Sequence, residues 1–439
     1  MSPPPDSVRR ATLLAPREWM RRLVFWTGAV IVALVAILFA QAASLAERLF
    51  HGVLAVNPLL VLLLAPSGFA FAVFLTRRVF PGAQGSGIPQ TIAALEMTQP
   101  QAIARVLSLR VAFGKMLLCV TGLACGASIG REGPSVQIGA SIMRALGDAL
   151  RVPGPDTQRA LVLAGGAAGI AAAFNTPLAG IVFAIEELSR SFEQRTSGIV
   201  ITAVVLAGIT TLALLGNYTY FGVTSVTLPV GSGWIAVLVC GVLGGLGGGA
   251  FSQTLVAASR GLPGRAGRFV ARRPVVIAAL CGLAIALIGL ASGGSSYGTG
   301  YAEAHALVAG QSDTPVRFFV LKALATIVSY CSGIPGGIFA PSLAVGAGLG
   351  RVIAHVLPAA PAGAVVLLGM VAYFSGVVQA PLTAAVIVME MTDNQQMTIP
   401  LMAAAFLGFA ASRLVCPRPL YDALAHGFRS AQEGGTQGD

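Results

Sequence analysis

The chain has 439 residues, 55% of them hydrophobic and only 10% charged, with a net charge of +11. A soluble protein carries about a quarter charged residues, and the mean hydropathy here is +0.80. The composition therefore excludes a soluble globular protein and predicts a polytopic all-α membrane protein. The excess charge also argues against a nucleic-acid partner, because it falls in short segments between apolar runs.

Residues 1–22 are rich in Pro and Arg, with Arg9, Arg10, Arg17, Arg21 and Arg22 ahead of the first apolar run at 23–45. No cleavable leader is evident. A second run covers 53–76, and Arg77 and Arg78 follow it. Both runs are near the ~20 residues that a helix needs to cross a bilayer. Further runs cover 234–257, 274–290 and 400–411. Arg260, Arg265, Arg268, Arg272 and Arg273 crowd the loop between the first two of these, whereas 217–232 holds no charged residue. This alternation follows the positive-inside rule. It predicts a cytoplasmic N-terminal segment (1–22), a first membrane repeat (23–216), an extracytoplasmic connection (217–233), a second repeat (234–427) and a short cytoplasmic tail (428–439).

Six cysteines and four histidines are scattered without ligand spacing. Small buried hydrophobes are the expected state of these cysteines, and no metal site or cofactor is expected.

The two halves repeat. At an offset of 207 residues, Arg110, Lys115, Gly126, Gly130, Pro134, Ser135, Gly139, Ala140 and Arg144 meet identical types at Arg317, Lys322, Gly333, Gly337, Pro341, Ser342, Gly346, Ala347 and Arg351. At an offset of 204, Gly165, Pro177, Leu178 and Glu186 meet Gly369, Pro381, Leu382 and Glu390. Lys115 and Lys322 are the only lysines in the chain, and the repeat pairs them. An odd number of crossings per half would make the repeats inverted, an arrangement common in transporters.

Several apolar runs are short and open on proline, at Pro89, Pro134, Pro177, Pro341 and Pro381. Proline suits the first turn of a helix, so Pro134 and Pro341 predict helix starts at membrane depth. Gly-rich turns ahead of them expose backbone N–H groups, tolerated there only when they line a cavity. Helix starts carry partial positive charge and free donors, which suits an anion. Partial charges also allow release, where a full charge binds too tightly. Scattered glycines such as 245–249 are read as helix-packing positions.

Where the repeat fails, function is the better explanation. Arg131 and Glu132 stand opposite Ile338 and Phe339. Glu132 is then an added carboxylate among anion-binding amides, able to occupy the site when ionised and leave when protonated. An ion pair with Arg131 is the structural alternative. Glu186 has a partner in Glu390 and reads as structural, as do the paired lysines. Glu187 stands opposite Met391 and is the candidate for passing protons toward Glu132, with a solvated helix-end acid as its alternative.

At these residues the chain resembles the CLC family of chloride channels and proton-coupled chloride exchangers. "GSGIP" (85–89), "GREGP" (130–134) and "GGIFAP" (336–341) look like its filter motifs, in family order, and "RPLYDA" holds Tyr421. The resemblance runs from the first span to Tyr421. It implies that Ser86 and Tyr421 hydroxyls and the Ile338 and Phe339 amides contact a central chloride. Amides from Arg131 to Gly133 would serve an outer anion site. Glu132 would be the external gate and Glu187 the internal proton-transfer group of an exchanger. The resemblance also implies a homodimer with one pore per subunit and a filter preferring chloride to nitrate. The transported ligands would be chloride and protons. Arg outnumbers Lys 26 to 2, as in proteins of GC-rich bacterial genomes, which points to a bacterial inner membrane, and the arginine distribution puts both termini in the cytoplasm. Gln90 departs from the Glu that several members carry there, and the tail is too short for the paired regulatory domains of many eukaryotic members.

Two other readings compete. One is a passive chloride channel gated by Glu132. The other is an intramembrane serine hydrolase, because 126–130 and 294–298 both fit Gly-x-Ser-x-Gly. That pattern belongs on a strand-to-helix turn, and His355 has no neighbouring acid in sequence to orient it.

Overall fold

The computed structural model describes residues 16–189, 194–231, 233–261, 263–311 and 314–433. Most of the predicted cytoplasmic N-terminal segment, residues 190–193 of the stretch after Glu187, and the end of the tail lie outside the described residues. The first half contains α1 (Pro16–Val56), α2 (Val61–Arg78), α3 (Ile88–Glu96), α4 (Pro100–Val106), α5 (Leu109–Ala124), α6 (Glu132–Ala149), α7 (Pro155–Phe174), α8 (Pro177–Phe183) and α9 (Gln194–Leu215). The second half contains α10 (Trp234–Ser259), α11 (Gly264–Arg272), α12 (Pro274–Ala291), α13 (Tyr301–Val308), α14 (Phe318–Cys331), α15 (Phe339–Val356), α16 (Ala362–Val378), α17 (Pro381–Thr392), α18 (Thr398–Arg413) and α19 (Leu420–Glu433). Among the described residues, eight helical stretches are long and apolar enough to cross a membrane. Others stop short: α14 has 14 residues, about 21 Å of rise against a hydrocarbon core of about 30 Å.

Two boundaries differ from expectation. The first helix runs 41 residues, through Val56. The chain breaks at Asn57, whose side chain accepts a hydrogen bond from Leu59 N–H at 2.9 Å and starts a short 3₁₀ turn. The break therefore falls inside the second apolar run, because a side-chain cap decides it and hydropathy does not. Pro134 and Pro341 sit third in α6 and α15 rather than first. Both still lie in the first turn, where a missing N–H costs no hydrogen bond.

The repeat is present in three dimensions. Helices α5, α6, α7 and α8 correspond to α14, α15, α16 and α17. The crossing of α6 and α7 brings Gly139 and Gly165 so close that a Cβ on either would lie 2.1 or 2.3 Å from the other's carbonyl oxygen. The crossing of α15 and α16 does the same with Gly346 and Gly369, at 2.7 and 2.6 Å. Asn175 and Gln379, offset by 204, both adopt the left-handed conformation after their helices, with φ of 57° and 58°. Each side-chain amide donates to a distant carbonyl: Asn175 Nδ2 to Tyr218 O at 2.9 Å, Gln379 Nε2 to Cys416 O at 2.6 Å.

The halves meet as a self-complementary pair. Glu186 accepts from the Leu382 and Thr383 amides at 3.1 and 2.6 Å, at the start of α17. Glu390 accepts from the Leu178 and Ala179 amides at 3.1 and 2.6 Å, at the start of α8. Such reciprocity marks a two-fold relation between the halves, and the architecture is two inverted repeats of broken helices. Glycines 245, 248 and 249 pack α10 against α16 and α18, with Cβ positions 2.3, 2.4 and 2.8 Å from backbone oxygens.

Cys119, Cys125, Cys240 and Cys416 are buried, but Cys331 is exposed, contrary to the expectation of burial. It ends α14 at the rim of a cavity.

Gly165→Val and Gly369→Val should each destabilise the protein. Overpacking costs about 1–3 kcal/mol, and the neighbours here are backbone atoms that cannot rotate away. Gly52→Val, which meets nothing within 4 Å, is the control. Thermal unfolding in detergent should fall for the first two and hold for the third.

Candidate functional site

Four helices begin near one point inside the protein. They are α3 after Ser86 and Gly87, α6 after Arg131, α15 after Ile338, and α19 at Leu420 and Tyr421. At their junction Gly130 and Gly337, offset by 207, exchange both backbone hydrogen bonds at 2.7 Å. This pair lies on the axis relating the halves, where each residue meets its own counterpart. Gly336 N–H donates to Gly85 O at 3.1 Å, which ties the loop before α3 to the loop before α15.

Close approach requires glycine at two positions. A Cβ on Gly133 would lie 2.3 Å from Ser86 Oγ, and one on Gly87, at φ +109°, would lie 2.7 Å from Gly133 O. The loop before α3 is held from beneath. Lys115 Nζ donates to Gln84 O at 3.1 Å and to Gly85 O at 2.8 Å. Gln90 accepts from Gly87 N–H at 3.1 Å and donates from Nε2 to Gln84 O at 2.5 Å. Gln90 thus has a local structural task in this chain. In the second half Lys322 Nζ donates to the carbonyls of Ser296, Tyr297 and Gly298 at 3.1, 3.0 and 2.8 Å. The structural reading of both lysines is matched by these bonds.

The polar groups facing the junction are donors. The first amides of a helix have no acceptor within it. Here they belong to Ile338, Phe339 and Ala340, and to Arg131, Glu132 and Gly133. Ser86 Oγ and Tyr421 Oη are buried and without hydrogen-bond partners. The two hydroxyls lie close enough to interact with each other. Partial positive charge and free N–H and O–H donors in a dry interior fit a small anion.

Phe339 contributes more than its amide. Its ring lies 4.8 Å from that of Phe374, 5.9 Å from Tyr421, 6.0 Å from Phe183 and 6.5 Å from Phe174. This apolar collar covers the Phe339 and Tyr421 side of the junction and lowers the local dielectric there, which strengthens the electrostatics. The collar was not foreseen from sequence; the one signal was an aromatic residue ending or interrupting each Gly- and Ala-rich helix at Phe174 and Phe374.

Glu132 is the first residue of α6 and is fully buried, and neither carboxyl oxygen has a hydrogen-bond partner. Its Oε2 lies over Gly130, at the bridge between the halves. The alternative of an ion pair with Arg131 is not what the structure contains. Arg131 Nη1 instead donates to Ala40 O at 2.7 Å and Ser44 Oγ at 3.2 Å, and the guanidinium sits 5.8 Å from the Tyr220 ring centroid. Glu187 is 2% exposed, which removes the solvated-acid alternative. It sits on a π-helical turn, Ala184–Ser189, that α17 lacks at the equivalent place. Such turns are rare and frequent at functional sites. Glu187 and Glu132 both lie within electrostatic reach of the Tyr421 hydroxyl. The junction thus gathers Ser86, Arg131, Glu132, Gly133, Ile338, Phe339 and Tyr421, with Glu187 beside it. The hydrolase reading gains nothing: Ser128 Oγ is buried against Thr326 Oγ1 at 3.0 Å, and His355 is exposed on another helix.

The sequence pattern of the voltage gated chloride channel family matches residues 68–413. An H(+)/Cl(-) exchange transporter, ClcA, of Klebsiella pneumoniae subsp. pneumoniae is 33% identical over 453 residues, covering 98% of this chain and 93% of the relative. ClcA of Yersinia pestis bv. Antiqua is 34% identical over 378 residues, covering 82% and 76%. The crystal structure of a slow cyanobacterial Cl-/H+ antiporter superposes with a TM-score of 0.81 at 24% identity, covering 96% of this chain and 100% of that one. A CLC-type fluoride/proton antiporter superposes with a TM-score of 0.77 at 23% identity, covering 91% and 97%.

Gly133→Ala places a methyl group against Ser86 Oγ. Chloride binding to the purified protein, read by calorimetry, should weaken by about tenfold or more, with the thermal unfolding midpoint changed far less than by Gly165→Val.

Proposed function

The chain belongs to the voltage gated chloride channel family, and from that premise we propose that it exchanges chloride for protons across a membrane. One observation carries the reading: four helix starts and two unpartnered hydroxyls converge beside a buried, unpartnered carboxylate. Ser86 Oγ, Tyr421 Oη and the Ile338 and Phe339 amides hold the central chloride. The Arg131 to Gly133 amides hold an outer ion. Ionised Glu132 is itself an anion and competes for these donors. Protonated, it gives way to chloride. Alternation between the two couples one ion to the other. Glu187 supplies the proton from the opposite side, and its burial within electrostatic reach of Tyr421 suits transfer within the protein rather than solvation at a helix end.

The arginine distribution supports an orientation with the N-terminus, the loop holding α11 and the C-terminal tail in the cytoplasm. A homodimer with one pathway per subunit, on the strength of the family resemblance, and a bacterial inner membrane, on the excess of arginine over lysine, complete the proposal. A serine in the loop at 85–89, in place of proline, supports chloride over nitrate. No cofactor is required, because every step uses side chains and amides of the chain itself.

Proteoliposome flux with simultaneous chloride and proton electrodes tests the roles. Glu132→Ala should keep chloride flux but lose proton movement and the rise in flux at low pH. Glu187→Ala should lose proton movement and keep anion flux. Normal proton pumping by both variants would overturn the assignment, and chloride movement without protons in the wild type would make the protein a channel.

A further inference from the structure

The cavity leading to Ser86 carries more positive charge than a monovalent ion needs. It measures about 970 Å3 and is walled in part by Arg77, Arg260, Arg418, His426 and Asp422, with Ser86 at its floor. Small-molecule sites measure about 300–1,000 Å3, so this one lies at the upper end and far exceeds the space a halide occupies. The three arginines come from distant parts of the chain: the end of α2, the end of α10 and the loop before α19. All three are exposed, and none is in an ion pair among the described residues. The wall containing Arg260 belongs to a stretch, 194–302, without a single Asp or Glu. Field alone attracts chloride, but a guanidinium also presents a rigid fork of N–H donors that fits phosphate oxygens two at a time. Three such forks around one cavity match an anion with several charged oxygens along its length.

We propose that this cavity binds a linear polyphosphate anion, inorganic or carried by a nucleotide, and that the bound anion shuts the route between solvent and Ser86. Binding rests on the three arginines, which outnumber the single carboxylate on the lining, Asp422. Blocking rests on the reading of Ser86 as part of the chloride path. A polyphosphate is too large to follow chloride past the close contact of Gly133 with Ser86, so it stays in the cavity and excludes the smaller ion.

The test uses full-length protein in nanodiscs of neutral lipid for calorimetry and in proteoliposomes for chloride flux, with ligand on both faces. Pyrophosphate, tripolyphosphate and ATP should each bind saturably, and tripolyphosphate more tightly than pyrophosphate. In the triple variant Arg77→Gln/Arg260→Gln/Arg418→Gln, affinity should fall by about tenfold or more, and inhibition of flux by pyrophosphate should be lost. Arg260→Gln alone, at an exposed helix end, should give a smaller loss of the same kind if the triple variant does not fold. Absence of saturable binding, or binding unchanged in these variants, would overturn the proposal. ATP binding without tripolyphosphate binding would also overturn it, because the base and not the phosphate chain would then be recognised. A wild type that binds tripolyphosphate but carries no chloride would leave the site standing and remove the transport reading.

Discussion

A helix that starts inside a protein leaves its first amides without acceptors, and a membrane-embedded interior has no water to supply them. Four such starts at one junction concentrate this deficit. The Gly130–Gly337 bridge satisfies the amides just ahead of two of the starts, and the first amides of the helices themselves are left as donors. The fold tolerates this arrangement because the unpaired groups share one need, a small negative charge. Ser86, Tyr421 and the collar around Phe339 shape the place proposed for that charge, while Lys115 and Gln90 fix the loop that brings Ser86 there.

The two-fold relation explains how one sequence design produces both walls of the site. Glu186 and Glu390 cap each other's half, Gly139 with Gly165 and Gly346 with Gly369 set equal helix crossings, and Asn175 and Gln379 end equivalent helices in the same left-handed conformation. The proposed function draws on the places where the halves differ. Glu132 stands opposite Phe339, so one helix start presents a carboxylate and the other an aromatic ring. Glu187 stands opposite Met391, on a π-helical turn that the second half replaces with regular helix. In both halves one acid caps the other half and its neighbour is buried, Glu187 in the first and Met391 in the second, so the first half puts a carboxylate where the second has a thioether.

Much of this was legible in the sequence. Gly–Pro punctuation marked the broken helices, and the only two lysines of the chain, being repeat-paired, exposed the symmetry. Subtracting one half from the other isolated Glu132 and Glu187. The rest depended on contacts between distant segments. Nothing local to Arg131 says that its guanidinium turns to Ala40 O and away from Glu132. A glutamine in the left-handed region is rare, so Gln379 announces its turn only through its symmetry mate. The break at Asn57 was hidden inside an apolar run, because hydropathy averages over the single capping residue that decides it. Cys331 resembles the other apolar-run cysteines in sequence, and only the cavity beside α14 exposes it.

Anomalous diffraction from crystals soaked in bromide is the most direct measurement of the central claim. The account predicts a strong peak among Ser86 Oγ, Tyr421 Oη and the Ile338 and Phe339 amides, and a second at the Glu132 carboxylate position in Glu132→Gln crystals. Bromide density confined to other parts of the protein, with the junction of the four helix starts unlabelled, would contradict it.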